Sequence, residues 1–170
     1  MNKTIYPIDV IKKSVDFVST KINNIFQNEE IVMICVLNGG FMFFSDLVRK
    51  INNPNLYLDF IKAQSYDNNK QTENIKLSID LKIDINNKTV ILVDDILDTG
   101  KTIKSIVDKI NKNYKPKDIY VCPFLTLKTF NNTENFKLIN NIIHPENSFV
   151  AGYGLDNLEK DRHLEYVYLV

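Results

Sequence analysis

The chain has 170 residues, 44% of them hydrophobic and 25% charged, which predicts a single globular domain over residues 1–170 with a substantial core. Lysine and arginine together number 21 and balance 21 aspartate and glutamate residues, so the overall charge argues against nucleic-acid or membrane partners. Cys35 and Cys122 have no C-x-x-C partner, and no apolar stretch has the length of a membrane span or the place of a signal region. These features predict a cytoplasmic protein with reduced thiols.

The first 50 residues have the pattern of a helix, a strand, a glycine loop and a second helix. Apolar residues recur at helical spacing over about residues 9–26, which predicts an amphipathic helix. The apolar run 31–37 predicts a buried strand, which ends at Asn38-Gly39-Gly40 before helical spacing resumes. Such a loop lets a ligand approach the backbone at the carboxyl end of a sheet. A turn that is needed only for tight packing is the alternative.

A polar segment separates the next two predicted strands, which cover residues 56–61 and 75–84. Residues 67–74 between them are so poor in apolar side chains that they cannot bury themselves, and they predict a mobile loop. Composition alone is equally consistent with a surface loop that has no function.

Residues 90–102 carry the strongest chemical signal in the chain. The run 90–93 is apolar without alternation, which is typical of a strand covered on both faces, and it ends in Asp94-Asp95. Helical spacing resumes after residue 102, so a helix begins close to Gly100. Free N–H groups at a helix start, together with the hydroxyls of Thr99 and Thr102, predict an anion site that suits a phosphate.

The kind of phosphate ligand follows from a partial motif. G-K-T at residues 100–102 is the tail of the nucleoside-triphosphate loop G-x-x-x-x-G-K-[ST], but Asp95 stands where the first glycine would be. A carboxylate there would repel a wrapped polyphosphate, whereas it would accept hydrogen bonds from ribose hydroxyls, and the pair Asp94-Asp95 could also hold a divalent cation. The pattern therefore predicts a sugar with a single phosphate in the loop. An acidic turn followed by an ordinary capped helix is the alternative.

Two further segments complete the predicted sheet. A buried strand over residues 119–125 is followed by Lys128, which is either part of a site or an ordinary exposed lysine. Residues 148–156 are strand-like and contain glycines that permit a tight turn. Because strands and helices alternate along the chain, the sequence predicts an α/β fold with a mostly parallel sheet flanked by helices.

The run V-D-D-I-L-D-T-G-K-T at residues 93–102 resembles the phosphoribosyl-pyrophosphate (PRPP) loop of the type I phosphoribosyltransferases, and is close to that of their hypoxanthine-guanine members. The resemblance extends in consistent order from about residue 31 to residue 170. It implies the type I phosphoribosyltransferase fold with a small C-terminal hood. The residues that it assigns to PRPP are Asp94, Asp95, Asp98, Thr99, Gly100, Lys101 and Thr102.

The resemblance assigns the glycine loop to pyrophosphate, through Asn38 and Gly39, and implies an unusual cis peptide bond before Asn38. The family often has lysine at this position, so Asn38 keeps the main-chain role but lacks one charge. Arg162 matches a pyrophosphate-binding arginine. Ser65 and Tyr66 match the start of a catalytic lid that closes over the substrates.

The purine site is implied by four matching residues. Lys128 matches a lysine that donates to O6 of a purine, which suits hypoxanthine or guanine. Phe149 matches an aromatic ring that stacks on the base, and the main chain of Val150 would read the edge of the base. Asp156 would lie near a second metal ion or the edge of the base. The two histidines match no role in the family and are predicted to be solvated.

The implied reaction is the Mg²⁺-dependent transfer of 5-phosphoribosyl from PRPP to N9 of hypoxanthine or guanine in purine salvage, giving IMP or GMP and pyrophosphate. Asp94, Asp95 and Asp156 are the predicted metal ligands, and Asp98 is the hypothesised general base at N7 of the purine. The family also implies a homodimer or homotetramer. The alternatives are a xanthine-preferring phosphoribosyltransferase and an RNA-binding regulator of pyrimidine operons that shares the PRPP motif, although overall neutrality favours RNA binding less.

Overall fold

The computed structural model describes residues 3–65, 75–78, 80–128, 130, 136–145 and 148–170. Its helices are α1 (Ile8–Ile25), α2 (Phe41–Val48) and α3 (Lys101–Asn113). Its strands are β1 (Thr4–Tyr6), β2 (Ile31–Leu37), β3 (Leu56–Ser65), β4 (Ile75–Ser78), β5 (Thr89–Leu97), β6 (Asp118–Leu127), β7 (Lys137–Leu138), β8 (Ile142–His144), β9 (Val150–Ala151) and β10 (Val167–Leu169). Within these ranges no helix is both long enough and apolar enough to cross a membrane.

A mostly parallel sheet forms the centre of the fold. Its strand order is β4-β3-β2-β5-β6-β7, and β8 pairs with the later part of β6. All of these pairs are parallel except β3 with β4. Parallel neighbours need crossover connections, which α2 and α3 provide between β2 and β3 and between β5 and β6. The predicted α/β fold is confirmed.

Helices cover both faces of the sheet, so its central strands are buried on both sides. Met33 and Cys35 of β2 pack in one core with α1 and α2, while Ile34 and Val36 pack in a second core with α3. Alternate residues of a strand point to opposite faces, so an unbroken apolar run serves two cores at once. This is the physical reason why β2 and β5 could be predicted from their composition.

A three-stranded antiparallel sheet, which we call the hood, combines the two ends of the chain. Its order is β1-β10-β9, and Thr4 pairs with Tyr168 while Leu169 pairs with Val150. Val167 is buried in the same core as α1 and α2, which fixes the hood to the main sheet. The predicted C-terminal hood is therefore present, but the sequence did not indicate that β1 belongs to it.

Strand β4 is shorter than the strand predicted over residues 75–84. It ends at Ser78, and residues 80–84 are irregular instead of extending the strand to residue 84. The buried carboxylate of Asp59 on β3 accepts hydrogen bonds from the backbone N–H groups of Lys82 and Ile83, at 2.8 and 3.0 Å. A side chain, rather than a strand partner, therefore satisfies the backbone there.

Candidate active site

The candidate site lies at the carboxyl ends of β2 and β5, where open α/β sheets bind ligands. A cavity of about 400 Å³ is lined there by the loop after β2, by the end of β5 and by the start of α3. Asp156 and Arg162 of the hood complete its wall. These segments contain most of the residues that the sequence assigned to phosphate, ribose and pyrophosphate.

The start of α3 has the geometry of an anion site. Gly100 is the N-cap residue and has φ of +76°, a left-handed conformation that favours glycine. A Cβ atom on Gly100 would lie 2.7 Å from Cε2 of Phe130, so space as well as conformation requires glycine. The N-cap glycine has no side chain that could cap the helix, and the backbone N–H of Lys101 donates to Oγ1 of Thr99 at 3.5 Å. The first turn of α3, from Lys101 to Ile103, lines the cavity, and a helix N-terminus favours a negatively charged ligand.

The acidic pair lies beside this loop. Asp94 is almost fully buried and Asp95 is half-buried, and Oδ1 of Asp94 accepts a hydrogen bond from the backbone N–H of Asp95 at 2.9 Å. Burial, followed by the neighbouring charge of Asp95, raises the pKa of Asp94 well above its ordinary value. Removal from water also raises the pKa of Asp95, although hydrogen bonds and the charge of Arg162 oppose the rise. Two adjacent carboxylates in this setting favour a ligand that brings hydroxyl donors or positive charge.

The glycine loop packs directly against the acidic pair. The peptide bond between Leu37 and Asn38 is cis, as the family resemblance implied. A Cβ atom on Gly39 would overlap the Asp95 carboxylate, and one on Gly154 would overlap the carbonyl oxygen of Gly39. The loop, the acidic pair and the hood therefore meet at Gly39. Tight packing does require this glycine, and the packing is against the candidate site itself.

Gly39→Ala is expected to lower kcat/KM for PRPP by about 100-fold, because the new methyl group must displace the Asp95 carboxylate and small misplacements in a site are costly. Steady-state kinetics with varied PRPP would measure this loss. Gly152→Ala is the contrasting variant, since its Cβ atom would overlap the Tyr166 carbonyl in the hood, away from the cavity. Gly152→Ala should lower the melting temperature. A wild-type kcat/KM in Gly39→Ala would contradict the assignment of the loop to pyrophosphate.

Arg162 already has partners on the hood. Its Nη1 donates to the carbonyl oxygen of Gly154 at 2.8 Å, and its Nη2 lies 3.0 Å from Asp156 and 3.1 Å from Glu159. A guanidinium group has five N–H donors in a fixed plane, so these contacts orient it and still leave donors toward the cavity. The structure thus brings Asp156 and Arg162 together at the edge of the site.

A second cavity, of about 450 Å³, adjoins the first. Its wall includes Leu127, Phe149 and Val150, and the Phe149 side chain is 65% exposed although it is aromatic. The residues that line both cavities are Asp95, Ile96, Asp98 and Asp156. Asp98 therefore lies at the boundary between the first cavity and the second.

Some predicted site residues are less directly placed. Lys128 follows β6 beside the lining residue Leu127, but it is exposed and lines neither cavity. Ser65 is the last residue of β3, and its backbone pairs with Ile75. Tyr66 lies outside the described residues.

Sequence reasoning was wrong about one histidine. His163 is exposed, as predicted, whereas His144 is 3% exposed and its ring hydrogen-bonds to Tyr6 and Ser148. The signal that could have indicated this is its position after the apolar residues Ile142 and Ile143, which form β8 together with it.

The described residues contain no metal site built only from protein side chains. Across the described ranges, no group of three or more histidine, cysteine, aspartate or glutamate side chains is arranged to hold a metal ion. Asp94, Asp95 and Asp156 all line the first cavity, but they do not form such a group. Any Mg²⁺ there would need ligands from a substrate or water.

The fold and the site define a class of protein, namely α/β proteins in which a helix start and an acidic pair line one cavity and an exposed aromatic ring lines the adjoining one. A family model described as phosphoribosyl transferase domain matches residues 1–157. The chain belongs to this phosphoribosyltransferase family.

Similar proteins agree with this assignment. The chain is 37% identical over 163 residues to the hypoxanthine-guanine phosphoribosyltransferase of Aquifex aeolicus, covering 94% of this chain and 89% of that one. It is 29% identical over 167 residues to the hypoxanthine-guanine-xanthine phosphoribosyltransferase of Tritrichomonas foetus, covering 98% and 90%. A crystal structure of a hypoxanthine-guanine phosphoribosyltransferase from Bacillus anthracis superposes with a TM-score of 0.86 at 32% identity, covering 100% and 98%.

Proposed function

We propose that this enzyme transfers 5-phosphoribosyl from PRPP to N9 of hypoxanthine or guanine, giving IMP or GMP and pyrophosphate. It is thus a pentosyltransferase of purine salvage. The observation that carries the proposal is the pair of adjoining cavities, one built for a phosphorylated sugar and one with an exposed aromatic ring, which share three aspartates. The names of the relatives from Aquifex aeolicus and Bacillus anthracis support the same activity.

The roles of the first cavity follow from its charges and from the helix start that lines it. The start of α3, with Thr99, Lys101 and Thr102, binds the 5′-phosphate, and the ribose hydroxyls donate to Asp94 and Asp95. This arrangement supplies the hydrogen-bond donors that two adjacent carboxylates favour. The sugar is then oriented with its anomeric carbon toward the second cavity.

The leaving group is bound on the other side of the acidic pair. Backbone groups of Asn38 and Gly39 and the guanidinium of Arg162 hold the pyrophosphate, so that negative charge is stabilised as the anomeric bond breaks. The side chain of Asn38 adds a neutral donor where related proteins often have lysine. Arg162 therefore has a larger share of the charge stabilisation in this chain.

The donor set also fits Mg²⁺. This ion binds through one or two carboxylates together with substrate phosphates and water, so it does not require a protein-only cluster. Asp94, Asp95 and Asp156, which all line the first cavity, are the carboxylates that would hold it. Bound there, Mg²⁺ would neutralise charge on the leaving pyrophosphate.

The second cavity receives the purine. Phe149 offers an exposed ring for stacking, and the main chain of Val150 reads the edge of the base. Asp98, at the boundary of the two cavities, accepts the proton from N7 as N9 attacks the anomeric carbon. Lys128, which follows the lining residue Leu127, donates to the 6-oxo group of the purine. The amino group of adenine could not accept this hydrogen bond.

Lys128→Ala is expected to lower kcat/KM for hypoxanthine, because one charge-assisted hydrogen bond to O6 is lost. The loss of transition-state stabilisation should be about 1–3 kcal/mol. The KM for PRPP should change much less. Lys112→Ala, at the far end of α3, is the matched control for removing an exposed lysine and should leave both constants unchanged. Equal losses for hypoxanthine and PRPP would remove Lys128 from purine recognition.

The overall proposal is tested by incubating the protein with PRPP, Mg²⁺ and single bases while pyrophosphate release is recorded. Hypoxanthine and guanine should be substrates and adenine should not. Xanthine is the specific second candidate, because the relative from Tritrichomonas foetus is named for it as well and Lys128 could also donate to the 6-oxo group of xanthine. If no base leads to pyrophosphate release, the proposed activity is wrong.

The proposed assembly is a dimer formed through an apolar face on β3 and α2. This face consists of the exposed side chains of Phe41, Leu58 and Phe60, and the ring of Phe60 packs edge-on against Phe44 of α2 at 5.5 Å between centroids. Leu58 and Phe60 are two residues apart on β3 and so point to the same face of the sheet, and exposed apolar side chains grouped on one face are typical of an interface. A second copy of the chain is the proposed occupant, since a two-fold axis places the same face on both subunits.

Leu58→Lys is expected to convert the dimer to a monomer, because it places two charges in the centre of a two-fold apolar interface. Light scattering after size exclusion would measure the mass. Leu58 is preferred to Phe60, whose ring also packs within its own subunit. Phe17→Lys, at an exposed phenylalanine on α1, is the control and should keep the wild-type mass. A dimeric Leu58→Lys variant would show that another surface is used.

The proposed location is the cytoplasm. Cys35 and Cys122 are both buried and unpaired, and burial raises the pKa of each thiol to about 12. Thiols of this kind are inert structural groups and are typical of a reducing compartment.

A further inference from the structure

The imidazole of His144 lies in a chain of hydrogen bonds behind the second cavity. Its Nδ1 is 2.8 Å from the hydroxyl of Tyr6, and its Nε2 is 3.0 Å from the hydroxyl of Ser148. The Tyr6 and His144 rings also meet edge to face, with centroids 5.8 Å apart. Because the histidine is 3% exposed, these contacts fix the plane of a buried ring on both sides. Ser148, at the end of this chain, lines the cavity.

The main chain of His144 contacts the other side of the same cavity. Its carbonyl oxygen accepts a hydrogen bond from the backbone N–H of Lys128 at 2.9 Å. His144 is also the residue of β8 that pairs with Leu127, the last residue of β6 and part of the cavity wall. One residue thus connects the segment that carries Lys128 with the segment that carries Phe149.

Phe149 depends on such connections for its position. Its ring is largely exposed, so packing around the ring does not fix it. The backbone holds it instead. The carbonyl oxygen of Phe149 accepts a hydrogen bond from the N–H of Val170 at 3.0 Å, and the residue before it, Ser148, is tied to His144. Losing the tie at Ser148 would leave only the anchors on the hood side.

We propose that Tyr6, His144 and Ser148 form a positioning relay for the purine. The relay holds the Phe149 platform and the Lys128 segment at a fixed separation across the second cavity, and it extends from the first strand of the chain to the base. The inference rests on the proposed roles of Phe149 and Lys128. It adds three residues that the family resemblance left without a function.

The chemistry of the three groups suits this task. A neutral imidazole donates from one nitrogen and accepts at the other, and each flanking hydroxyl can do either. Both bonds can therefore form with either tautomer. With the proton on Nε2, Ser148 accepts from His144 and its own hydroxyl proton can donate toward the cavity. An apolar residue in place of His144 would leave two partly buried hydroxyl groups without this partner.

The test is steady-state kinetics on Tyr6→Phe, His144→Leu and Ser148→Ala, with hypoxanthine and PRPP varied separately. Tyr6→Phe and Ser148→Ala should each raise the KM for hypoxanthine by about three- to tenfold, the effect of one lost hydrogen bond, and His144→Leu, which loses two, should raise it by at least as much. The KM for PRPP and kcat should stay within about twofold, because no group that contacts PRPP is changed. His144→Gln keeps a donor and an acceptor, so it should recover much of the loss seen in His144→Leu.

The control separates positioning from general stability. Thr89 is buried and its hydroxyl donates to Glu29 at 3.0 Å, at the start of β5 and thus at the opposite end of the strand from the site. Thr89→Val should lower the melting temperature without changing either KM. If the relay variants also lower the melting temperature but leave the KM for hypoxanthine unchanged, the relay is a structural feature only and the proposal is wrong.

A double-mutant cycle tests whether the three groups act together. Tyr6→Phe combined with Ser148→Ala should raise the KM for hypoxanthine by clearly less than the product of the two single effects, because both remove parts of one chain. Full multiplication of the effects would overturn the relay. Failure of the proposed role of Lys128 can be distinguished from failure of the relay. In the first case the KM for hypoxanthine is unchanged in Lys128→Ala, while the relay variants still raise it.

Discussion

Asp98→Asn is expected to lower kcat by about two to four orders of magnitude, the range of general acid–base catalysis, at saturating PRPP and purine. Asparagine keeps the shape of the side chain but cannot accept a proton from N7 at neutral pH. The KM for PRPP should change little, since the N–H groups of α3 that bind phosphate are untouched. Asp98 is exposed in the structure, and Gly100 rather than Asp98 is the N-cap of α3, so thermal stability should also be retained.

Asp108→Asn is the matched control, because Asp108 is an exposed aspartate on α3, the helix that follows Asp98, and its described ion pair with Lys104 is a weak one at 3.7 Å. It should be indistinguishable from wild type in kcat and in melting temperature. Near wild-type kcat in Asp98→Asn would remove Asp98 from proton transfer. A fall in melting temperature larger than in Asp108→Asn would instead make Asp98 a structural residue.

Removal of Mg²⁺ is expected to abolish turnover, and adding Mg²⁺ back should restore it. Asp95 and Asp156 are negatively charged and cannot take over the role of a cation, so the leaving pyrophosphate would lose its neutralising partner. Pyrophosphate release before chelation, after chelation and after Mg²⁺ addition would measure the effect. Full activity in metal-free buffer would contradict the proposed role of the ion.

A thermal-shift experiment adds a readout that does not depend on turnover. The described part of the chain has no three-ligand cluster, so Mg²⁺ alone should change the melting temperature very little. PRPP together with Mg²⁺ should raise it markedly, because a ligand that binds only the folded state stabilises it by mass action. Strong stabilisation by Mg²⁺ in the absence of PRPP would instead indicate a resident protein-bound metal.

The central part of the fold and of the site could be predicted because one segment carried several independent signals. The run 90–93 is apolar on both faces, the pair Asp94-Asp95 ends it, and a glycine precedes the next helical pattern. Each signal restricts the structure locally, and all of them point to the same strand, loop and helix. The cavity that they predicted lies where these elements meet.

The hood and the end of β4 could not be predicted in the same way. β1, β9 and β10 have two or three residues each, which is too short for an alternating pattern. Residues 80–84 depend on Asp59, which lies more than 20 residues earlier in the chain. Such contacts arise from tertiary packing, which a local pattern does not record.

The error at His144 has a similar cause. A histidine beside two isoleucines is compatible with either a surface or a core, and the partners that bury it are Tyr6, 138 residues earlier, and Ser148. The family resemblance gave no role to this position and therefore no reason to expect burial. The burial of His144 is explained by the fold, in which Tyr6 of β1 lies against the end of β8.

The pairing of β1 with β10 has a practical consequence for work with this enzyme. Leu169 donates through its N–H to the carbonyl oxygen of Lys3, so the two ends of the described chain lie side by side, one residue from the amide that holds Phe149. A tag or fluorescent fusion joined to either of these segments would therefore begin close to Phe149, the proposed platform for the base. Kinetic constants for purines should be compared between tagged and cleaved protein, and a linker that joins residues 3 and 170 would give a circularly permuted enzyme with new ends elsewhere.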